Sequence, residues 1–198
     1  QQNTTISKKT NRLFIQIFKN EQESCTVVNM YFQNEGKIYL NVNENEYLKK
    51  IQTDNIDTLK VIVNDSKTLN LFHIEKGIKP LPINFDIKLV AHLLDYSNSK
   101  LSLDDLFIKY LGSGNSVNDD NEKILMMSDL YICLSNKIEE FNSKDWNIHK
   151  LFNEVELPLS LVLAKMQNTG IKLDIKYLNE FEKKIPKMID KKIINIYK

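Results

Sequence analysis

Asn84 to Gly112, NFDIKLVAHLLDYSNSKLSLDDLFIKYLG, is the best-punctuated stretch of the chain. Asp86 has the side chain of an N-cap, and Ile87, Val90, Ala91 and Leu94 follow it at i, i+3, i+4, i+7. A polar turn, Asp95 to Lys100, separates this helix from a second. Ser102 caps the second, Leu103, Leu106, Phe107, Tyr110 and Leu111 share its face, and Gly112 closes it. Two short helices with one apolar face each need a sheet or further helices to pack against.

The sequence upstream supplies a sheet. Arg12 to Phe18 (RLFIQIF), Cys25 to Phe32 (CTVVNMYF) and Lys37 to Val42 (KIYLNV) read as strands, the last two joined by the turn Asn34-Glu35-Gly36. Glu44 to Ile51 is a short helix. Leu59 to Val63 is a short strand with the apolar run expected inside a sheet. Asp65 to Lys76 follows as a helix ended by Gly77, and Ile83-Asn84-Phe85 is a last strand. A meander followed by strand–helix–strand units is an α/β pattern.

Downstream the pattern is helical. Glu122 to Phe141 carries the stripe Ile124, Met127, Tyr131, Leu134, Ile138 and Phe141. Residues 151–169 form another helix that Pro158 should start or kink and Gly170 ends. Asp174 to Lys198 is mostly helical, strained at Pro186 and rich in lysine. Ser113 to Asp120 is a loop without an apolar anchor, and Asn142 to Asn147 breaks the helical run.

The 198 residues are 42% hydrophobic and 27% charged, enough for one domain with a real core and an appendage. The net charge of +1 gives no global field pointing to nucleic acid. The charge is uneven, +3 in residues 151–198 and −2 in residues 1–150. Cys25 and Cys133 have no metal-type spacing and read as free thiols of a reducing, cytoplasmic compartment; His73, His92 and His149 are scattered. No apolar run reaches membrane-spanning length and no signal peptide is visible. Residues 1–11 are polar and expected to be disordered. Phosphate-loop, dinucleotide, nucleophile-elbow and paired-cysteine motifs are all missing.

The order F-D-x-x-L-x-A-x-L-L-D, then L-x-D-L-x-x-x-Y-L-G, resembles the 3′→5′ exonuclease domain of family A DNA polymerases, the bacterial DNA polymerase I type. A second anchor, Leu151 to Asp174, is similar to the segment where that domain joins the polymerase thumb, E-x-P-L-x-x-V-L-x-x-M-E-x-x-G-[IV]-x-x-D. Glu156, Pro158, Leu159, Val162, Leu163, Met166, Gly170, Ile171 and Asp174 fit it, and Gln167 stands where the family usually has Glu. The resemblance implies a ribonuclease H-like fold, a mixed sheet flanked by helices, over residues 12–150. It implies a C-terminal helical extension, the start of the thumb, over residues 151–198, with fingers and palm outside this sequence.

The family's nuclease uses two metal ions held by carboxylates, from Asp-x-Glu on the first strand, Asn-x-x-x-Asp near the next helix and Tyr-x-x-x-Asp on a late helix. In the best register Gln16 and Phe18 stand at the first pair, Asp65 and Leu69 at the second motif, and Lys123 and Met127 at the third. An amide is a poor substitute for a carboxylate, and Phe, Leu and Met offer no hard oxygen. The expectation is a domain whose nuclease centre has decayed, with no cofactor in this fragment and Mg²⁺ used by the parent polymerase. The alternatives are a working nuclease with a rearranged carboxylate set, Asp65 and Asp129 first, and a stand-alone interaction module. Asp65, Asp86, Asp95, Asp104 and Asp105 are placed as cap or turn residues. Tyr31, Phe32, Tyr39 and Trp146 could stack on bases, but their spacing is that of strand core. The implied partners are DNA, through the parent polymerase and Lys183, Lys184 and Lys187, and the missing polymerase domain, with dimerisation possible for the isolated fragment. No membrane partner is expected.

Overall fold

The computed structural model describes residues 11–20, 25–53, 56–96, 101–112, 119–141 and 147–197. The expected N-terminal disorder, Trp146 and most of the three polar connections lie outside these residues, as do the side chains of Phe18 and Cys25.

The strands are β1 (Arg12–Asn20), β2 (Cys25–Phe32), β3 (Lys37–Val42), β4 (Lys60–Val63) and β5 (Ile83–Asp86). They form one sheet in the order β3-β2-β1-β4-β5. The first three are an antiparallel meander, with Gln16 opposite Asn29. β4 runs parallel to β1, with Leu13 opposite Val61, and β5 parallel to β4. The expected strand limits agree with this sheet to within a residue or two.

Period-two alternation along β1 sorts the core into two layers. Leu13, Ile15 and Ile17 face helices α1 (Glu44–Thr53) and α2 (Ser66–Glu75), where Tyr47, Leu69 and Phe72 complete the packing. Phe14 faces the other way, with Ile62 and Phe85, onto α3 (Ile87–Leu94), α4 (Leu103–Leu111) and α5 (Asp120–Glu140). The helical pair that organises the sequence thus finds the sheet it requires. Asp86 caps α3. Ser102 and Asp105 form a reciprocal capping box on α4, and Gly112 ends α4 in the left-handed conformation, φ +69°.

A short helix, α6 (Ile148–Leu151), passes into a π-helical turn, Phe152–Glu156, and then α7 (Leu157–Thr169). Pro158, the second residue of α7, has no N–H to donate backwards, and the wider turn before it accommodates the missing bond. α7 packs through Ser160 and Ala164, both buried, and Asn70 Nδ2 on α2 donates to Ser160 Oγ at 3.3 Å. The chain divides into two compact units, Gln1–Asn168 and Thr169–Lys198. The second unit holds α8 (Ile175–Ile196), capped by Asp174 and containing Pro186, with every described side chain exposed. No helix among the described residues is long and apolar enough to cross a membrane.

Candidate functional site

In a sheet of this kind the place to search for chemistry is the carboxyl end of the parallel strands. Here that is where β1, β4 and β5 end and α2 and α3 begin. Gln16 lies on β1, 7% exposed, on the same side as Phe14. Its Oε1 accepts from Asn29 Nδ2 at 3.2 Å, and Asn29 Oδ1 accepts from the Asn41 backbone N–H at 2.8 Å. Asn41 has φ +50°, a conformation asparagine tolerates better than most side chains, and it sits where the β2–β3 register shifts. The amide chain Gln16–Asn29–Asn41 thus satisfies itself within the sheet.

Beside it, Asn64 follows the last residue of β4 and is 4% exposed. Its Oδ1 accepts from Ile17 N–H at 2.7 Å and its Nδ2 donates to Ile17 O at 2.9 Å. A side-chain amide takes the place of the next peptide in the parallel ladder. Asp65 caps α2 through Thr68 N–H at 2.9 Å, and Lys88 Nζ approaches its other oxygen at 3.5 Å.

Asp86 is the one deeply buried carboxylate here, 4% exposed. Oδ2 accepts from Ser66 N–H at 2.6 Å and Oδ1 from Leu89 N–H at 2.9 Å, so a single side chain serves the first turns of both α2 and α3. Burial pushes its carboxyl up to about 6; the hydrogen bonds oppose that shift, and neighbouring Asp65 adds to it.

The other residues that the resemblance aligns with metal positions do not converge on this corner. Leu69 is fully buried in the layer under α1 and α2, and Met127 is fully buried in the layer on the opposite side of the sheet. Lys123 pairs with Asp104 at 3.3 Å, tying α5 to α4. Asp129 is exposed on α5. Phe18 lies on β1, opposite Val27 in register. Among the described residues no group of three or more His, Cys, Asp or Glu side chains could hold a metal ion. Neutral amides and two carboxylates already engaged, Asp86 by two backbone donors and Asp65 by Thr68 N–H and Lys88, do not fit a pair of Mg²⁺ ions, which want several free anionic oxygens.

Other singled-out residues have plain placements. Phe32 is buried, Tyr31 and Tyr39 are half-buried, and Cys133 is a half-buried free thiol. Lys183, Lys184 and Lys187 are exposed on α8. Three polar features escape sequence reading. One is the Asn64 bridge; another is the buried Tyr47–His73 pair, Oη to Nε2 2.7 Å, between α1 and α2. Burial holds the His73 imidazole down at about 4 and pushes the Tyr47 phenol up. The third is a cavity of about 330 Å³ near the amino end of β4 and β5, against α5. Its only sequence signal is the aromatic content of Phe85, Tyr131 and Phe152.

No protein-family model matches the chain. DNA polymerase I of Borreliella burgdorferi is 29% identical over 161 residues, 72% of this chain and 17% of that protein. A thermostable DNA polymerase I of Thermus thermophilus is 33% identical over 113 residues, 57% of this chain and 12% of that protein. DNA polymerase I of Caldicellulosiruptor bescii is 27% identical over 171 residues, 80% of this chain and 18% of that protein. The chain therefore spans less than a fifth of these curated relatives. Among solved structures, the POL domain of Pol1 from M. smegmatis, in complex with DNA primer-template and dNTP, superposes with a TM-score of 0.71 at 15% identity. That match covers 92% of this chain and 33% of that one.

Proposed function

We propose that residues 12–150 are a ribonuclease H-like 3′→5′ exonuclease domain of a family A DNA polymerase that has lost its nuclease and serves as a scaffold. Residues 151–198 are then the start of the thumb. The strand order β3-β2-β1-β4-β5, with an antiparallel meander leading into two parallel strands, supports the ribonuclease H-like reading. The observation that carries the loss of activity is the amide of Gln16, the residue the resemblance aligns with one of the metal-binding carboxylates, held within the sheet by Asn29. It leaves no free anionic oxygen for a metal at that position. In this reading the domain holds its polymerase partner in place, Mg²⁺ belongs to that partner, and DNA is engaged by the whole polymerase, with Lys183, Lys184 and Lys187 facing the duplex.

The test is degradation of an end-labelled single-stranded oligonucleotide by the purified chain in Mg²⁺ or Mn²⁺. No turnover is expected even at high protein concentration. Turnover abolished by Asp65→Ala would overturn the scaffold reading in favour of a rearranged carboxylate set.

A further inference from the structure

α8 is 22 residues long, and every described side chain on it is exposed. Its sequence nevertheless repeats like that of a buried helix. Ile175, Leu178, Glu182, Ile185, Ile189, Lys192 and Ile196 follow one another at alternating spacings of three and four residues. That alternation is the 3.5-residue repeat of a coiled-coil seam, sustained through three heptads. The residues that would flank the seam include Phe181, Pro186, Met188 and Ile193, and none of them is charged. Lys176, Lys183, Lys184, Lys187 and Lys191 fall on the opposite side of the helix. The excess of lysine on α8 therefore does not oppose a second basic helix at the contact.

The two charged members of the seam are placed symmetrically. Glu182 and Lys192 lie five residues on either side of Lys187. When two copies of α8 run antiparallel about that point, Glu182 of each copy faces Lys192 of the other. The same register sets Leu178 against Ile196 and Ile185 against Ile189, apolar against apolar. A parallel pair would set Glu182 against Glu182 and Lys192 against Lys192, like charges at two levels of the seam. A wholly apolar groove would strip both charges of water and give neither a partner.

We propose that two copies of this chain associate through α8 as an antiparallel coiled coil in this register. The contact is isologous: one face serves both copies, and the assembly closes at two. Lys183, Lys184 and Lys187 stay on the outside of the pair. The inference rests on α8 alone and does not depend on the scaffold reading.

The full chain is followed by sedimentation equilibrium over a range of protein concentration, and a monomer–dimer equilibrium is expected. Ile185→Asp puts a carboxylate in the middle of the seam and is expected to leave only monomer. The melting temperature should not change, because the side chain it replaces is exposed. Glu182→Lys and Lys192→Glu are each expected to weaken dimerisation on the order of tenfold or more, although they shift the net charge in opposite directions. The double exchange E182K/K192E is expected to restore it. A chain that remains monomeric at millimolar concentration would overturn the proposal and leave this face to a different partner. A dimer indifferent to Ile185→Asp would overturn it too. So would a dimer weakened by Glu182→Lys but strengthened by Lys192→Glu, since net charge and not register would then govern the association.

Discussion

The two ends of the parallel strands are built in opposite ways. At the carboxyl end Gln16 is held by Asn29, Asn64 by Ile17, Asp65 by Thr68 and Asp86 by the first turns of two helices, while Ser66 Oγ has no partner among the described residues and a cavity of about 220 Å³ opens beside Asp65 and Asp86. At the amino end a cavity of about 330 Å³ has an aromatic wall, and the Ser135 hydroxyl beside it has no partner among the described residues. Both ends thus carry a cavity, and they differ in lining: carboxylates and lysines at the carboxyl end, three aromatic rings at the amino end. The difference teaches that a fold does not dictate which side chains line its strand ends. The apolar alternation that makes the sheet is independent of which side chains occupy the strand ends.

Adding acids where the resemblance expects them is the most severe test. Leu69→Asp and Met127→Asp place carboxylates where the resemblance to the polymerase exonucleases would put them, but both side chains are fully buried in apolar layers. Each substitution is expected to cost more than about 4 kcal/mol in urea unfolding and to confer no nuclease activity. A stable, folded Met127→Asp protein with metal-dependent activity would overturn the reading of Met127 as packing.

The buried titratable groups offer a gentler comparison. α2 begins at the carboxyl end with Asp86 against its first turn and runs back to His73 in its last. His73 is held at about 4 against an ordinary 6.5, so the stability it supports is present above pH 6.5 and lost as pH falls toward 4. Asp86 is raised to about 6 from 3.8, so its protonated form is favoured in the fold and stability declines as pH rises from about 4 to 6. Each swing is on the order of 3 kcal/mol, and the two oppose one another across that window. Melting temperature against pH should therefore change little from these two groups in the parent chain. Asp86→Asn should unmask a loss of stability toward acid, and an unchanged profile in that variant would refute the pairing.

The smallest expected effect is at the amide chain. Gln16→Ala removes one partner of Asn29 and is expected to cost about 1–2 kcal/mol, read from the urea midpoint. A neutral result would mean that Asn29 keeps its place through Asn41 alone.

Much of this architecture was legible in the sequence because it is local. Caps at Asp86 and Ser102, the left-handed close at Gly112 and the period-two strands are written within a few residues of one another. The polar features of both ends were not legible. Asn64 meets Ile17 across 47 residues, Tyr47 meets His73 across 26, and the cavity draws on β4, β5, α5 and the π-helical turn. Periodicity carries no information about such meetings; only the completed sheet brings them together. The family positions at Leu69 and Met127 illustrate the same limit. Their spacing was readable, but not that they sit on opposite sides of the sheet.

Asn64 has one more consequence, for strand alignment. β4 is only four residues long, and Val61-Ile62-Val63 is buried on both sides of the sheet. A run so uniform distinguishes poorly between one pairing with β1 and the pairing slipped by a residue. A slip would carry the Asn64 amide past Ile17 and break both of its bonds at once. A polar side chain just beyond the strand thus acts as an alignment key that the apolar residues within it do not supply.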